Sequence, residues 1–188
     1  MEELKAEALH ECAAQFARID AVSLKNTEKV LTAYKEARVS AFHFAGTSGY
    51  GYNDPGREKL DEVFARVFKA EKALVRPHFV SGTHALATVL CALLEKGNML
   101  VSLVGAPYDT MQGVIGYDRD SRNSLKKRGV LYREVPLRDN TYDLQAIRKI
   151  VLKERPRMVL LQRSRGYSTR PSLRIEDIRE ILAVVKEV

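Results

Sequence analysis

Three short, largely apolar runs set the strongest limit on what this chain can fold into: residues 99–104, 130–135 and 158–161. Each has the length of a strand, and runs of this kind suit strands covered on both faces. Helical patterns separate them. A short helix is expected after Thr110, to about Ile115, and a small polar one over residues 121–128. Another is expected over 143–153, with Leu144, Ile147, Ile150 and Val151 turned inward, and a final one over 175–188. Strands alternating with helices predict an α/β fold, a mostly parallel sheet flanked by helices. In such sheets ligands gather at the carboxyl ends of strands. The segments Pro107–Thr110 and 162–170 follow predicted strands and are expected to share that edge.

A third segment is expected to join them. Residues 73–80 read as extended chain interrupted by Pro77, followed by Ser81-Gly82-Thr83 and a strongly apolar helix from Ala85 to Leu94. A strand, a small-residue turn and a buried helix leave backbone N–H groups unpaired at the helix start. With the positive end of the helix dipole they form a phosphate seat. The alternative is an ordinary N-cap by Ser81 or Thr83.

The N-terminal stretch is different in character. Residues 2–18 have helical periodicity, with Leu4, Ala8, Leu9, Cys12 and Phe16 on one side. Asp20 or Ser23 is expected to break this helix, and Asn26 or Thr27 to cap a second one reaching about Arg38. Residues 39–44 read as a short extended run. A glycine-rich loop follows, in which Asp54 caps and Pro55 begins a helix to about Lys69, with Leu60, Val63, Phe64, Val67 and Phe68 as its buried stripe. Residues 1–45 are therefore read as a helical arm and 46–188 as the first portion of a large α/β domain. That loop holds Tyr50, Tyr52 and Arg57, which read as a surface connection or as groups addressing an anion.

Charge and cysteine content narrow the functional classes. The net charge is +7, with basic clusters at residues 119–133 and 163–174. No aromatic-interleaved nucleic-acid module accompanies them, so an anionic small molecule is the expected partner and nucleic acid is not. No apolar run reaches membrane-spanning length. Cys12 and Cys91 lack metal-ligand spacing, so no metal site is expected, and they fit buried thiols in a cytoplasmic protein.

Five motifs occur in order: Gly49-Tyr50-Gly51-Tyr52-Asn53-Asp54-Pro55-Gly56-Arg57, Ala73-Leu74-Val75-Arg76-Pro77, Ser81-Gly82-Thr83-His84-Ala85, Pro107-Tyr108-Asp109-Thr110 and Gln162-Arg163-Ser164-Arg165-Gly166-Tyr167. Together they resemble the pyridoxal-phosphate enzymes of Cys/Met metabolism. More closely, they resemble the bacterial aluminium resistance, or methionine gamma-lyase-related, proteins. The resemblance implies a fold-type-I pyridoxal-phosphate transferase-like domain and a carbon–sulfur lyase, such as a methionine gamma-lyase or cystathionine lyase. It further implies an amino-acid-type substrate and a homo-oligomer, dimer or tetramer.

The same resemblance implies residue roles. Ser81, Gly82 and Thr83 would wrap the cofactor phosphate, and Tyr108 would stack on its ring. Tyr50, Tyr52 and Arg57 would reach across a subunit interface, although the arginine usual in the wider group falls nearest Gly51. Arg163 or Arg165 would face the cofactor or a substrate carboxylate, or lie in solvent. The lysine that joins the cofactor and the carboxylate that holds its ring nitrogen would lie downstream of Val188. The chain then reads as an N-terminal fragment, truncated before the end of the large domain and inactive alone. The alternative is a non-catalytic oligomerising or regulatory remnant without cofactor.

Overall fold

A computed structural model describes residues 1–50, 52–116 and 121–187. Gly51, Arg119 of the first basic cluster and Val188 lie outside the described residues. The chain forms two compact units, Met1–His78 and Phe79–Val188.

The second unit is built on a parallel sheet of β1 (Met99–Ser102), β2 (Leu131–Glu134) and β3 (Met158–Leu160), in the order β2-β1-β3. The register aligns Tyr132, Leu100 and Met158 in one row, and Arg133, Val101 and Val159 in the next. Because strand side chains alternate between faces, the two rows serve different cores. Leu100, Tyr132 and Met158 pack with Leu90 of α4 (Gly82–Leu93), the following Leu94, and Met111 and Ile115 of α5 (Asp109–Ile115). Val101 and Val159 pack with Ile147 and Val151 of α6 (Leu144–Glu154) and Ile181 and Val184 of α7 (Ile175–Lys186). The expected mostly parallel sheet, flanked by helices on both faces, is what forms. Asp143 caps α6 by accepting from the N–H groups of Gln145 and Ala146.

Two expected elements of this unit are corrected. Residues 121–128 form turns rather than a helix, because Leu125 and Lys126 donate their N–H groups to the Val114 and Ile115 carbonyls. Those are carbonyls that the end of α5 leaves without helical partners. The helix after Ser81 is not buried. Only Leu90 is fully enclosed, while Leu86, Val89 and Leu93 are each about half exposed (51%, 52% and 52%).

The first unit consists of α1 (Glu2–Glu11), α2 (Ala13–Glu36), a 3-10 turn at Ala41–Phe44 and α3 (Pro55–Phe68). The break expected at Asp20 or Ser23 lies instead at Cys12, and α2 runs straight through Asn26 and Thr27. The Asn26 side chain donates to the Val22 carbonyl one turn back, at 2.9 Å, so it does not cap a new helix. Of residues 39–44, expected to be extended, Ala41–Phe44 form the 3-10 turn, since Ser40 and His43 exchange hydrogen bonds that close it. Asp54 and Pro55 start α3 as expected, Asp54 accepting from the Arg57 N–H at 3.1 Å. Of its expected stripe only Val63 is fully buried, against Ala33 and Ala37 of the α2 end. Phe64 and Phe68 remain exposed.

Residues 73–80 form no strand in either unit. Pro77 has no N–H to give a ladder, and the Val75 N–H goes to the Asp61 carboxylate at 2.7 Å. Arg76 donates to the same oxygen at 2.7 Å. This arginine, then the Val75 N–H, holds the Asp61 carboxyl below the usual carboxylate range against a smaller opposing effect of burial.

Two substitutions test these contacts. A Cβ on Gly56 would lie 2.3 Å from the His43 carbonyl oxygen, a backbone atom that cannot swing away. Helix propensity favours Gly56→Ala by about 1 kcal/mol, but forced repacking costs about 1–3 kcal/mol. Urea unfolding should therefore show net destabilisation. Asp61→Asn should also destabilise, most at neutral pH. Asp61 titrates lower in the folded protein, so its contribution is present above its unfolded pKa and lost as pH falls through the folded one. The gap between wild type and Asp61→Asn should close on that acid side.

Candidate functional site

The start of α4 combines the two expectations for Ser81. Its backbone is extended, and its hydroxyl accepts from the His84 N–H at 3.1 Å, which makes it an N-cap. The cap satisfies the third N–H of the helix and leaves the first two. Among the described residues the N–H groups of Gly82 and Thr83 have no hydrogen-bond partner. A Cβ on Gly82 would meet nothing within 4 Å, so space lies open at this helix end. Unpaired donors at the positive end of a 12-residue helix are suited to an anion.

Thr83 also links this turn to the next strand–helix junction. Its hydroxyl and that of Thr110 hydrogen bond at 2.9 Å, bringing the start of α4 beside the start of α5. Tyr108 is the residue before α5 and follows the carboxyl end of β1. Its ring is partly buried, and its N–H donates to Gln162 Oε1 at 2.7 Å. Gln162 follows β3, so the ends of two neighbouring strands are joined directly.

The loop after β3 closes on the Tyr108 ring. Gly166 has a φ of +57°, and a Cβ there would lie 2.7 Å from Tyr108 Cδ2, so no other residue fits without displacing the ring. Tyr167 stacks on Tyr108 with centroids 6.0 Å apart and planes 25° from parallel. The neighbouring Tyr167 side chain, then the charge of Asp109, pushes the Tyr108 phenol above its ordinary range. Beside this cluster a groove of about 670 Å³ is lined by Leu86, Val89, Met111, Leu160 and Gln162 among others.

The structure thus brings Ser81, Gly82, Thr83, Tyr108 and the loop holding Arg163 and Arg165 to one edge of the sheet. Arg163 donates from Nε to the Leu173 carbonyl at 3.0 Å, tying the loop's base. Arg165 is exposed, and its side chain has no polar partner among the described residues. Tyr50, Tyr52 and Arg57 belong to the first unit. The tyrosines are exposed, whereas Arg57 is held within its own loop by Asp54 at 3.2 Å and the Gly49 carbonyl at 3.3 Å. Sequence reasoning missed three contributors: Gln162 as the tether of Tyr108, Tyr167 as its stacking partner, and buried Arg170 behind them. The first two lie in a quoted motif, but contacts across 54 residues leave no local signature.

A sequence profile of the methionine gamma-lyase family matches residues 1–188. The chain belongs to that family. YnbB of Bacillus subtilis, an uncharacterized protein, is 37% identical over 173 residues, which are 91% of this chain and 41% of YnbB. The crystal structure of a carbon-sulfur lyase involved in aluminum resistance from Clostridium novyi is 42% identical. It superposes with a TM-score of 0.89, covering 98% of this chain and 44% of that one. The pyridoxal-5'-phosphate dependent protein YhfS of Escherichia coli shares the fold at 20% identity, with a TM-score of 0.63 over 87% of this chain and 41% of its own. The chain therefore spans less than half the length of YnbB and of the Clostridium novyi protein. No helix among the described residues is long and apolar enough to cross a membrane.

Ser81→Ala removes the cap acceptor and should cost about 1 kcal/mol of unfolding free energy. Ser81→Asp keeps an acceptor and should restore it, while its negative charge should weaken phosphate binding. Chemical denaturation of the three proteins, with and without phosphate, separates the capping role from the anion role.

Proposed function

We propose that this chain provides the phosphate and ring-stacking part of a pyridoxal-phosphate site in a carbon–sulfur lyase acting on sulfur-containing amino acids. The observation that carries the reading is the pair of unpaired N–H groups at Gly82 and Thr83, at a helix start that the Thr83–Thr110 hydrogen bond ties to the helix preceded by Tyr108. Family membership, and the carbon-sulfur lyase activity named for the Clostridium novyi relative, support it. Gly82 and Thr83 would donate to phosphate oxygens, with the Ser81 cap keeping the helix end ordered. Tyr108 would lie on the electron-poor pyridine ring, a favourable pairing for an aromatic face. Arg165, the unpartnered guanidinium of its loop, would meet a carboxylate.

Pyridoxal phosphate, when bound, supplies the electron sink through which an amino acid loses its Cα proton and then a β- or γ-substituent. What this chain's residues would do is bind and orient. All six lysines of the Phe79–Val188 unit, at positions 96, 126, 127, 149, 153 and 186, are exposed. A lysine that attacks a carbonyl near neutral pH needs a desolvated setting, which none of these has. The covalent and proton-moving groups would therefore come from outside the Phe79–Val188 unit. Tyr50 and Tyr52 would serve the site of a second subunit in a homo-oligomer, with Arg57 shaping the loop that presents them.

Equilibrium dialysis with pyridoxal phosphate tests this. Binding should be saturable and competed by inorganic phosphate. Borohydride treatment followed by peptide mapping should find no stoichiometric pyridoxyl adduct on a single lysine. Such an adduct would place the covalent chemistry within this chain. Complete absence of binding would instead favour a cofactor-free oligomerising role.

A further inference from the structure

Arg170 is 5% exposed, and its guanidinium meets no carboxylate among the described residues. It donates to three carbonyl oxygens instead: Gln162 at 2.9 Å and Ser164 at 2.7 Å through Nη2, and Pro171 at 3.0 Å through Nη1. Burial of this cation without a counter-charge is unfavourable, and it lowers the pKa of the group. The base of the loop is closed independently, since the Leu173 N–H donates to the Arg163 carbonyl at 3.2 Å and Arg163 Nε to the Leu173 carbonyl at 3.0 Å. Arg170 is therefore not needed merely to close the segment. Its planar fork gathers carbonyls from both limbs of the loop at once, which an ammonium or an apolar side chain would not do.

One of the carbonyls it gathers belongs to Gln162, which holds Tyr108, and another to Ser164, to which Gln162 is itself bonded. Gln162 accepts from the Tyr108 N–H through Oε1 and donates through Nε2 to the Ser164 carbonyl at 3.0 Å, the same oxygen that Arg170 meets. Two residues further on, Gly166 touches the Tyr108 ring and Tyr167 stacks on it. Tyr108 is thus held at its backbone by one end of this segment and at its ring by the other.

We propose that Arg170 is a positioning residue of the site: it fixes the course of the loop from Gln162 to Tyr167, and through Gln162, Gly166 and Tyr167 it sets the orientation of the Tyr108 ring. Its consequence for ligand binding rests on the reading of Tyr108 as the stacking partner of the cofactor ring. Arg170 touches neither the ring nor the phosphate seat. A loss of ring contacts should therefore leave the Gly82 and Thr83 donors intact.

The test uses Arg170→Gln in the full chain with two readouts. In ligand-free protein, nuclear Overhauser contacts between the Tyr108 and Tyr167 rings should be present in wild type and lost in the variant. Pyridoxal phosphate should bind roughly tenfold more weakly, the scale of loss when a supporting partner is removed, while affinity for inorganic phosphate stays unchanged. A purely structural role would weaken both ligands together. Persistence of the ring contacts in a folded variant, or equal weakening of both ligands, overturns the proposal. If Arg170→Gln does not fold, Arg170→Lys, which keeps the charge but not the planar fork, carries the same two readouts with the same expected and overturning results. Tyr108→Ala separates the two layers. If it leaves pyridoxal phosphate affinity unchanged, the stacking reading falls, while the ring contacts still decide the role of Arg170.

Discussion

Coverage of β1 on both faces is the constraint on which the rest of the second unit depends. Leu100 and Val101 are both fully buried, and consecutive strand residues point in opposite directions. Each face therefore needs its own layer of helices, α4 and α5 on one side and α6 and α7 on the other. Parallel neighbours then follow, because each return to the sheet passes through helical chain lying on a face. All three carboxyl ends fall at the same edge, so the segments leaving β1 and β3 meet there without any further device. The direct bond from the Tyr108 N–H to Gln162 is a consequence of that topology.

The same edge shows how one turn can serve stability and binding together. Four N–H groups open an α-helix without internal partners. Ser81 satisfies one with its hydroxyl, and the Ala85 N–H closes the first helical bond on the Ser81 carbonyl at 3.1 Å. Of the donors that remain, those of Gly82 and Thr83 are next to each other in the first turn. Capping and anion binding are thus not rivals for Ser81, since they use different donors of the same helix end.

Much of this was legible in the sequence where local chemistry decides structure. The three apolar runs became strands, Asp54 became a cap, and Pro55 became a first helical residue. The failures occur where a backbone N–H finds a distant partner. Val75 binds a carboxylate on α3, and Leu125 binds the end of α5, so neither segment takes the form its own residues suggest. The apolar content of α4 predicted burial, yet Leu86, Val89 and Leu93 remain half exposed, because the described chain covers only the side carrying Leu90. At the candidate site the Ser81 turn and Tyr108 stood out as motifs. Their joining through Thr110, Gln162 and Arg170 did not, since composition carries no record of contacts across long separations.

Charge is where the whole-chain number misleads most. A surplus of +7 suggests a basic surface, yet much of the arginine content is already engaged. Arg66 bridges Glu36 and Glu62, Arg76 meets Asp61, Arg57 meets Asp54, Arg148 meets Glu187, and Arg174 meets Asp177. Exposed pairs of this kind add little stability, but they fix which cations stay free of a carboxylate. Within residues 163–174 the sorting is sharper. Arg174 has its aspartate, Arg170 its three carbonyls and Arg163 the Leu173 carbonyl, so Arg165 alone of these four guanidiniums has no polar partner among the described residues. Arg165 is therefore the guanidinium of this loop that stays available to an anion, at the same sheet edge as the unpaired Gly82 and Thr83 N–H groups.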